Sequence, residues 1–290
     1  MAHAENSYYI PHGSHWPIVA SIGVCTLFVG FANFLNGVSW ATPVMVVGFA
    51  IVVFMMFGWF GTVIKENEKG MYNSQVDMSF RWGMFWFIFS EVMFFAAFFG
   101  ALYYARVYSI PWLSGDGIGI STNEFLWEGF EGSWPENANG PANIGGEYTP
   151  MPAWGLPAIN TAILLTSGVT LTWAHHALKA KHRGQLIIGM ILTIALGAFF
   201  MGLQVVEYIE AYQHLGLTLG SGIYGTTFFM LTGFHGFHVT VGAIILAVIL
   251  FRIIAGHFSP ERHFAFEAAA WYWHFVDVVW LGLFIFVYML

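Results

Sequence analysis

Seven stretches of this chain are apolar over about the 20 residues that a helix needs to cross a bilayer. They lie at approximately 16–35, 41–64, 82–105, 156–178, 186–212, 224–254 and 264–290. In hydrocarbon every backbone N–H and C=O must be satisfied inside the segment, so runs of this length are predicted to be helices. The composition leaves little room for a water-soluble fold. Charged residues are 9% of the chain, against roughly 25% in soluble domains. Apolar residues are 58%, with 30 Phe and 13 Trp, the side chains that pack on lipid or sit at its interface. The sequence therefore describes an all-α polytopic membrane protein. The net charge of −7 says little about partners until its charges are placed on the two sides of the membrane, and nothing calls for nucleic acid. One cysteine, Cys25, excludes an internal disulfide and any multi-cysteine metal site.

The basic residues predict the orientation. Lys65, Lys69 and Arg81 lie between the second and third segments, Lys179, Lys181 and Arg183 between the fourth and fifth, and Arg252 and Arg262 between the sixth and seventh. Only Arg106 falls on the other side, so the basic side and the N-terminus are read as cytoplasmic and Leu290 as external. Residues 1–16 are polar and lack the basic-then-apolar pattern of a cleaved signal, so the first segment is expected to be retained. A short turn at 36–43 makes the first two segments a tight hairpin. The expected organisation is an N-terminal segment and hairpin (1–64), a cytoplasmic linker (65–81) and a helical bundle (82–290) with a long external loop (106–154). That loop carries Asp116, Glu124, Glu128, Glu131, Glu136 and Glu147 among many Gly, Pro and Asn. It reads as a solvated, partly irregular connection, or as an acidic docking surface for a neighbouring subunit or a basic partner.

Polar groups inside the apolar runs are the functional candidates, because a charge in hydrocarbon costs at least about 2.5–3.5 kcal/mol. The last segment holds Glu267, His274 and Asp277. Glu267, Trp271 and His274 are spaced to share one helix face, and Asp277 lies a turn beyond His274. Glu91 sits mid-segment among aromatics, either as a protonated carboxyl bracing a neighbouring helix or as a proton site. The adjacent His175 and His176 point about 100° apart, which disfavours a shared ion. His235 and His238, at i and i+3, share a face that suits a metal ion or contact with Glu91, Glu207 or Glu267. With neither an HExxH motif nor a tight three-histidine box, no metal is assigned, and these histidines are read as interhelical hydrogen-bonding groups. Glu66, Arg252, His257, Arg262 and His263 cluster at the basic ends of the segments, where they suit anionic lipid head groups or simply snorkel to the interface.

Several of these motifs together resemble one family. Ser90-Glu91-Val92-Met93-Phe94-Phe95, Ser167-Gly168-Val169 with Thr172-Trp173-Ala174-His175-His176, Gln204 with Glu207-Tyr208, Tyr224 to Phe229, Gly233 to His238, and the run from Phe266 to Leu281 are similar to cytochrome c oxidase subunit III of the heme-copper oxidases. The likeness extends from His15-Trp16-Pro17 to the C-terminus and thins in the external loop. That loop looks longer than in mitochondrial members, which fits a bacterial one.

The resemblance implies seven helices in a two-helix plus five-helix bundle with a lipid-holding cleft. It implies a non-redox subunit, with no catalytic residue and no bound metal, in a complex that passes electrons from cytochrome c to O2 and pumps protons. Heme and copper are expected in subunits I and II, and cytochrome c is contacted only indirectly. Subunit III would stabilise the catalytic subunit, hold phospholipid in the cleft with Glu66 and Arg252 facing the head group, and support proton uptake, with Glu91 as the buried carboxylate of the third helix. Read from the residues themselves, His263 joins the lipid-binding set and Glu91 is the candidate proton-related carboxylate. His175, His176, Glu207, His235, His238, Glu267, His274 and Asp277 would form an interhelical polar network. The expected location is a bacterial inner membrane, with the N-terminus cytoplasmic and the C-terminus periplasmic. A quinol-oxidase subunit III is the nearest alternative, although those members usually lack the first two helices. A free-standing proton or ion transporter using Glu91, Glu267 and Asp277 is more distant.

Overall fold

A computed structural model describes residues 13–290, so the expectation about a cleaved signal falls largely on residues outside the described ones. The protein is an all-α membrane protein. Seven helices are long and apolar enough to cross a membrane, and no β-strand occurs among the described residues. In chain order the helices are α1 (Trp16–Leu35), α2 (Ala41–Glu68), α3 (Ser74–Tyr104), the short α4 (Ile110–Leu113) and α5 (Ile120–Leu126), then α6 (Leu156–Lys179), α7 (Arg183–Gln213), α8 (Gly222–Ile254) and α9 (Phe264–Leu283). The chain divides into two compact units, Met1–Trp82 and Gly83–Leu290.

In the first unit, α1 and α2 turn on Gly37, whose φ of 71° lies in the left-handed region that favours glycine. Their backbones then approach at glycines. A Cβ on Gly48 would lie 2.3 Å from the Leu27 backbone nitrogen, and one on Gly30 would lie 2.5 Å from that of Met45. Without a hydrophobic drive between helices in lipid, this close approach of small residues is what holds such a pair. Further along, Trp16 Nε1 donates to Thr62 Oγ1 at 3.1 Å. The remaining surface is apolar and exposed, Phe28 and Phe57 being examples, as suits helices whose solvent is lipid.

The third helix begins earlier than hydropathy predicts, at Ser74 rather than near 82, because its first turns are polar but well supported. Asn73 Oδ1 caps the Val76 N–H at 3.0 Å, and Arg81 pairs with Asp77 at 2.8 Å one turn away. At the other end the coil continues through a π-helical stretch, Ala105–Ser109, into α4.

In the second unit, α6 packs on α7, α7 on α8, α8 on α9, and α9 back on α6. The ring closes on α9, the most buried of the spans. A π-helical segment, Phe284–Met289, continues α9 to the end of the chain. Within this unit α3 reaches α8 and α9 through side chains: the Phe94 ring lies 4.9 Å from that of Phe234 and the Phe95 ring 6.1 Å from that of Phe275.

The 106–154 connection is only partly the solvated loop expected. Ile118 and Phe125 are exposed, but Ala138, Asn139 and Met151 are buried. Trp134 and Tyr148 pack their rings on Tyr224 of α8 at 5.5 and 5.8 Å, and the Thr149 N–H donates to the Leu215 carbonyl at 2.8 Å. Turn-rich composition correctly indicates irregular backbone but does not reveal these aromatic anchors. Tyr148 OH donates to the Pro135 carbonyl at 2.5 Å and accepts from the Ala138 N–H at 3.3 Å. Burial pushes its phenol above the ordinary range, the Ala138 N–H acts the other way, and Glu136 adds to the rise.

Two predictions follow from these contacts. Gly48→Leu forces the α1–α2 backbones apart and should lower the thermal stability of the solubilised protein by at least the roughly 1–3 kcal/mol of an overpacked core. Gly61→Leu, with nothing within 4 Å of its Cβ position, should leave the unfolding temperature unchanged. Tyr148→Phe should increase proteolysis within 130–150 at neutral pH. Because the folded phenol is raised, its stabilisation is full below the ordinary tyrosine pKa of about 10 and is lost as pH rises through the folded value. The difference between wild type and Y148F should therefore close only at strongly alkaline pH.

Candidate functional site

The polar residues of α9 and its neighbours form a seam of helix-to-helix hydrogen bonds. Trp273 is fully buried in a slot cut by glycines: a Cβ on Gly197 of α7 would lie 2.6 Å from its ring, and one on Gly242 of α8 would lie 2.9 Å away. Its indole N–H donates to Ser167 Oγ of α6 at 2.9 Å. Seven residues on, and so on the same face, Trp280 Nε1 donates to Thr161 Oγ1 of α6 at 2.9 Å. Tyr272 OH donates to the His238 carbonyl at 3.2 Å, and His235 Nε2 donates to the Val276 carbonyl at 3.1 Å. Beyond α9, Tyr288 OH donates to Glu207 Oε1 of α7 at 2.5 Å. Bonds of this kind in lipid contribute about 0.6–2 kcal/mol each and set the register of the helices.

Three carboxylates within the spans lie against histidine. Glu91 Oε2 of α3 is 2.9 Å from His238 Nε2 of α8. The other ring nitrogen of His238 faces the Phe234 carbonyl at 2.6 Å. A carbonyl only accepts, so Nδ1 carries its proton, and one further proton lies between Nε2 and Oε2. Asp277 Oδ2 faces His274 Nδ1 at 3.3 Å, while His274 Nε2 meets Thr172 Oγ1 of α6 at 3.3 Å. This pair lines a groove of about 590 Å³ whose walls include Leu165, Val169 and Val278. Glu267 Oε1 lies 3.0 Å from His263 Nε2 and 4.0 Å from His175 Nε2.

Some residues sit differently from their reading in the sequence. Glu267, Trp271 and His274 do share a face of α9, but Trp271 is exposed and the other two meet different partners. His176, about 100° round the helix from His175, is exposed on the wall of the groove and makes no bond in the seam. His263, grouped in the sequence with lipid-facing residues, is buried and turned toward Glu267, because it caps the start of α9. Arg252 is buried with its guanidinium 4.6 Å over the Phe258 ring. In the first unit, Glu66 accepts from Tyr72 OH at 2.6 Å. Trp273, Trp280, Tyr288, Ser167 and Thr161 are given no individual bonding role in the sequence reading, although Ser167 and the two tryptophans lie in motifs that carry the resemblance. The seven-residue spacing of the two tryptophans on a helix with few other donors was the available signal.

A family model described as cytochrome c oxidase subunit III matches residues 6–116 and 137–290. The chain belongs to the cytochrome c oxidase subunit III family. It is 40% identical over 289 residues to cytochrome c oxidase subunit 3 of Cyprinus carpio, covering 99% of this chain and 98% of the relative. With the same coverage it is 41% identical to that of Formosania lacustris and 40% to that of Gadus morhua. As a subunit III it is a component of a terminal oxidase complex that contains other subunits. Residues 117–136, which include the exposed α5, lie outside the family match.

Ser167→Ala should destabilise this subunit III by about 1–3 kcal/mol, because it leaves the buried Trp273 N–H without an acceptor. The exposed Ser90→Ala should change the unfolding temperature little. Thermal denaturation followed by tryptophan fluorescence distinguishes the two.

Proposed function

We propose that this subunit takes no part in electron transfer and acts on the oxidase reaction through its neighbours. The observation that carries this reading is the seam around α9: its buried polar side chains are committed to holding helices together in a fixed register. Electrons would pass from cytochrome c to O2, with proton pumping, at heme and copper held by subunits I and II. This chain's part would be to stabilise the catalytic subunit and support proton uptake. Eight of the nine Lys and Arg residues fall toward the helix ends and connections on one side of the spans, which favours a cytoplasmic N-terminus and an external C-terminus. The stretch outside the family match favours a bacterial plasma membrane. Arg252, a cation at the basic end of α8, is the residue best suited to a phospholipid head group.

Glu91 is the carboxylate assigned to proton support. Its pairing with His238 gives it one exchangeable proton in an otherwise aromatic surrounding, between α3 and α8. Glu91→Gln keeps a hydrogen-bond donor toward His238 Nε2 but removes the acid. The variant complex should assemble normally, yet lose activity faster during sustained turnover and take up protons more slowly at high pH. Turnover, pumping and inactivation rate all equal to wild type would reduce Glu91 to a brace between helices. For the chain as a whole, the complex purified with its partners should show heme absorbance and the isolated chain none. Heme or copper remaining with the lone chain would overturn the non-redox reading.

A further inference from the structure

His175, His263 and Glu267 meet where the last turn of α6 faces the first turn of α9. They are the one group of three His, Cys, Asp or Glu residues among those described whose ligand atoms, one from each, all lie within 4.8 Å of one another. Helix α9 supplies the framework: His263 caps it and Glu267 follows four residues later, so both project from the same side. The α6 residue comes from the other wall, its ring 5.4 Å from that of His263.

The hydrogen bonding around His263 suggests what the cluster is for. Its Nδ1 faces the Ser259 carbonyl at 3.2 Å. The carbonyl can only accept, so Nδ1 bears the proton and the neutral ring presents a lone pair at Nε2. That atom is buried and makes no hydrogen bond, although Glu267 Oε1 lies 3.0 Å away. A lone pair set against a carboxylate oxygen is repulsive unless a proton or a metal ion lies between them, and the convergence of a second imidazole on the same oxygen favours the metal ion. His175 Nε2, 4.0 Å from the same oxygen, is also buried without a hydrogen bond. An imidazole whose outer N–H is fixed by a backbone carbonyl while its inner nitrogen is left open is the usual arrangement for a metal-ligating histidine.

We propose that His175, His263 and Glu267 form a binding site for a zinc-type divalent cation that ties the end of α6 to the start of α9. Two imidazoles and one carboxylate suit a borderline transition-metal ion and not magnesium or calcium, which take mainly oxygen ligands. Tetrahedral zinc with bonds near 2.0–2.2 Å places its ligand atoms roughly 3.3–3.5 Å apart. The 3.0 and 4.0 Å separations bracket that value and the third is no more than 4.8 Å, so side-chain rotations close the site without moving the helices. Three protein ligands leave a fourth position for water. Lys179, whose charge acts on His175, is exposed on the last turn of α6, where water screens its opposition to a bound cation.

The test uses the complex purified with its partner subunits, stripped by chelator and then exposed to zinc. Elemental analysis should find one zinc fewer in a complex carrying His175→Gln with His263→Gln than in wild type. X-ray absorption at the zinc edge should lose the matching imidazole contribution. Equal zinc in both complexes would overturn the proposal. A second measurement needs no variant: anomalous diffraction at the zinc edge from the zinc-exposed wild-type complex should place a peak between His175, His263 and Glu267. No peak at that position, or a peak that magnesium displaces equally well, would overturn it. Neither readout depends on oxidase turnover, so its outcome is separate from the function proposed above.

Discussion

The Trp273 indole N–H has no water to turn to, and its bond to Ser167 follows from that constraint. The same holds for the other buried donors along α9, Tyr272 and Trp280. Because lipid supplies no hydrogen bonds, each donor must find an acceptor on another helix. Here the acceptors are distributed over α6 (Ser167, Thr161), α7 (Glu207) and the backbone of α8 (His238), with the Val276 carbonyl serving His235 in return. A rotation of α9 by one residue would break most of these at once. The seam therefore specifies one arrangement of the helices, where apolar packing against equally apolar lipid would tolerate several.

Two kinds of packing coexist in the chain, and each has its own sequence logic. Between α1 and α2 the backbones nearly touch, and Gly30 and Gly48 are small because nothing larger fits. Around α3 the contacts are made at the far ends of large rings, Phe94 on Phe234 and Phe95 on Phe275, with the Glu91–His238 bond set among them. The glycines that cradle Trp273 combine the two, since space vacated on α7 and α8 is filled by a ring from α9.

The spans were legible because burial in lipid requires length and hydropathy, both of which are local. Where a helix leaves the bilayer those signals end while the helix continues, which is why α3 reaches back to Ser74 on an asparagine cap and an Asp77–Arg81 pair. The loop's anchoring on Tyr224 depends on residues some 75–90 positions away and leaves no local trace. The candidate site was legible as a set of residue types but not as a set of pairs. His235 and His238 read alike in the sequence, yet one meets a backbone carbonyl and the other Glu91, a choice made by the rotation of α3 and α9. His263 read as part of a lipid-binding pocket because it lies near the basic ends of the helices beside Arg262. Its place at the cap of α9 turns it inward.

The choice of partner for the acids within the spans has a physical reason. Glu91, Glu267 and Asp277 each lie against histidine, while most of the Lys and Arg residues lie at helix ends and in loops. An acid opposite lysine or arginine would have to be buried as a full ion pair, whose desolvation is hard to recover in a low-dielectric interior. An acid opposite imidazole has another option: the proton rests on either partner, and the pair is neutral in sum with its hydrogen bond intact. Such a pair can span two helices at little electrostatic cost, and it can pass its proton without creating a net charge. Where the imidazole's outer nitrogen is already committed to a carbonyl, as in His238 and His263, the inner nitrogen is left facing the carboxylate. At His238 the gap holds a proton. At His263, where a second imidazole joins and no hydrogen bond forms, the same logic makes room for a metal ion.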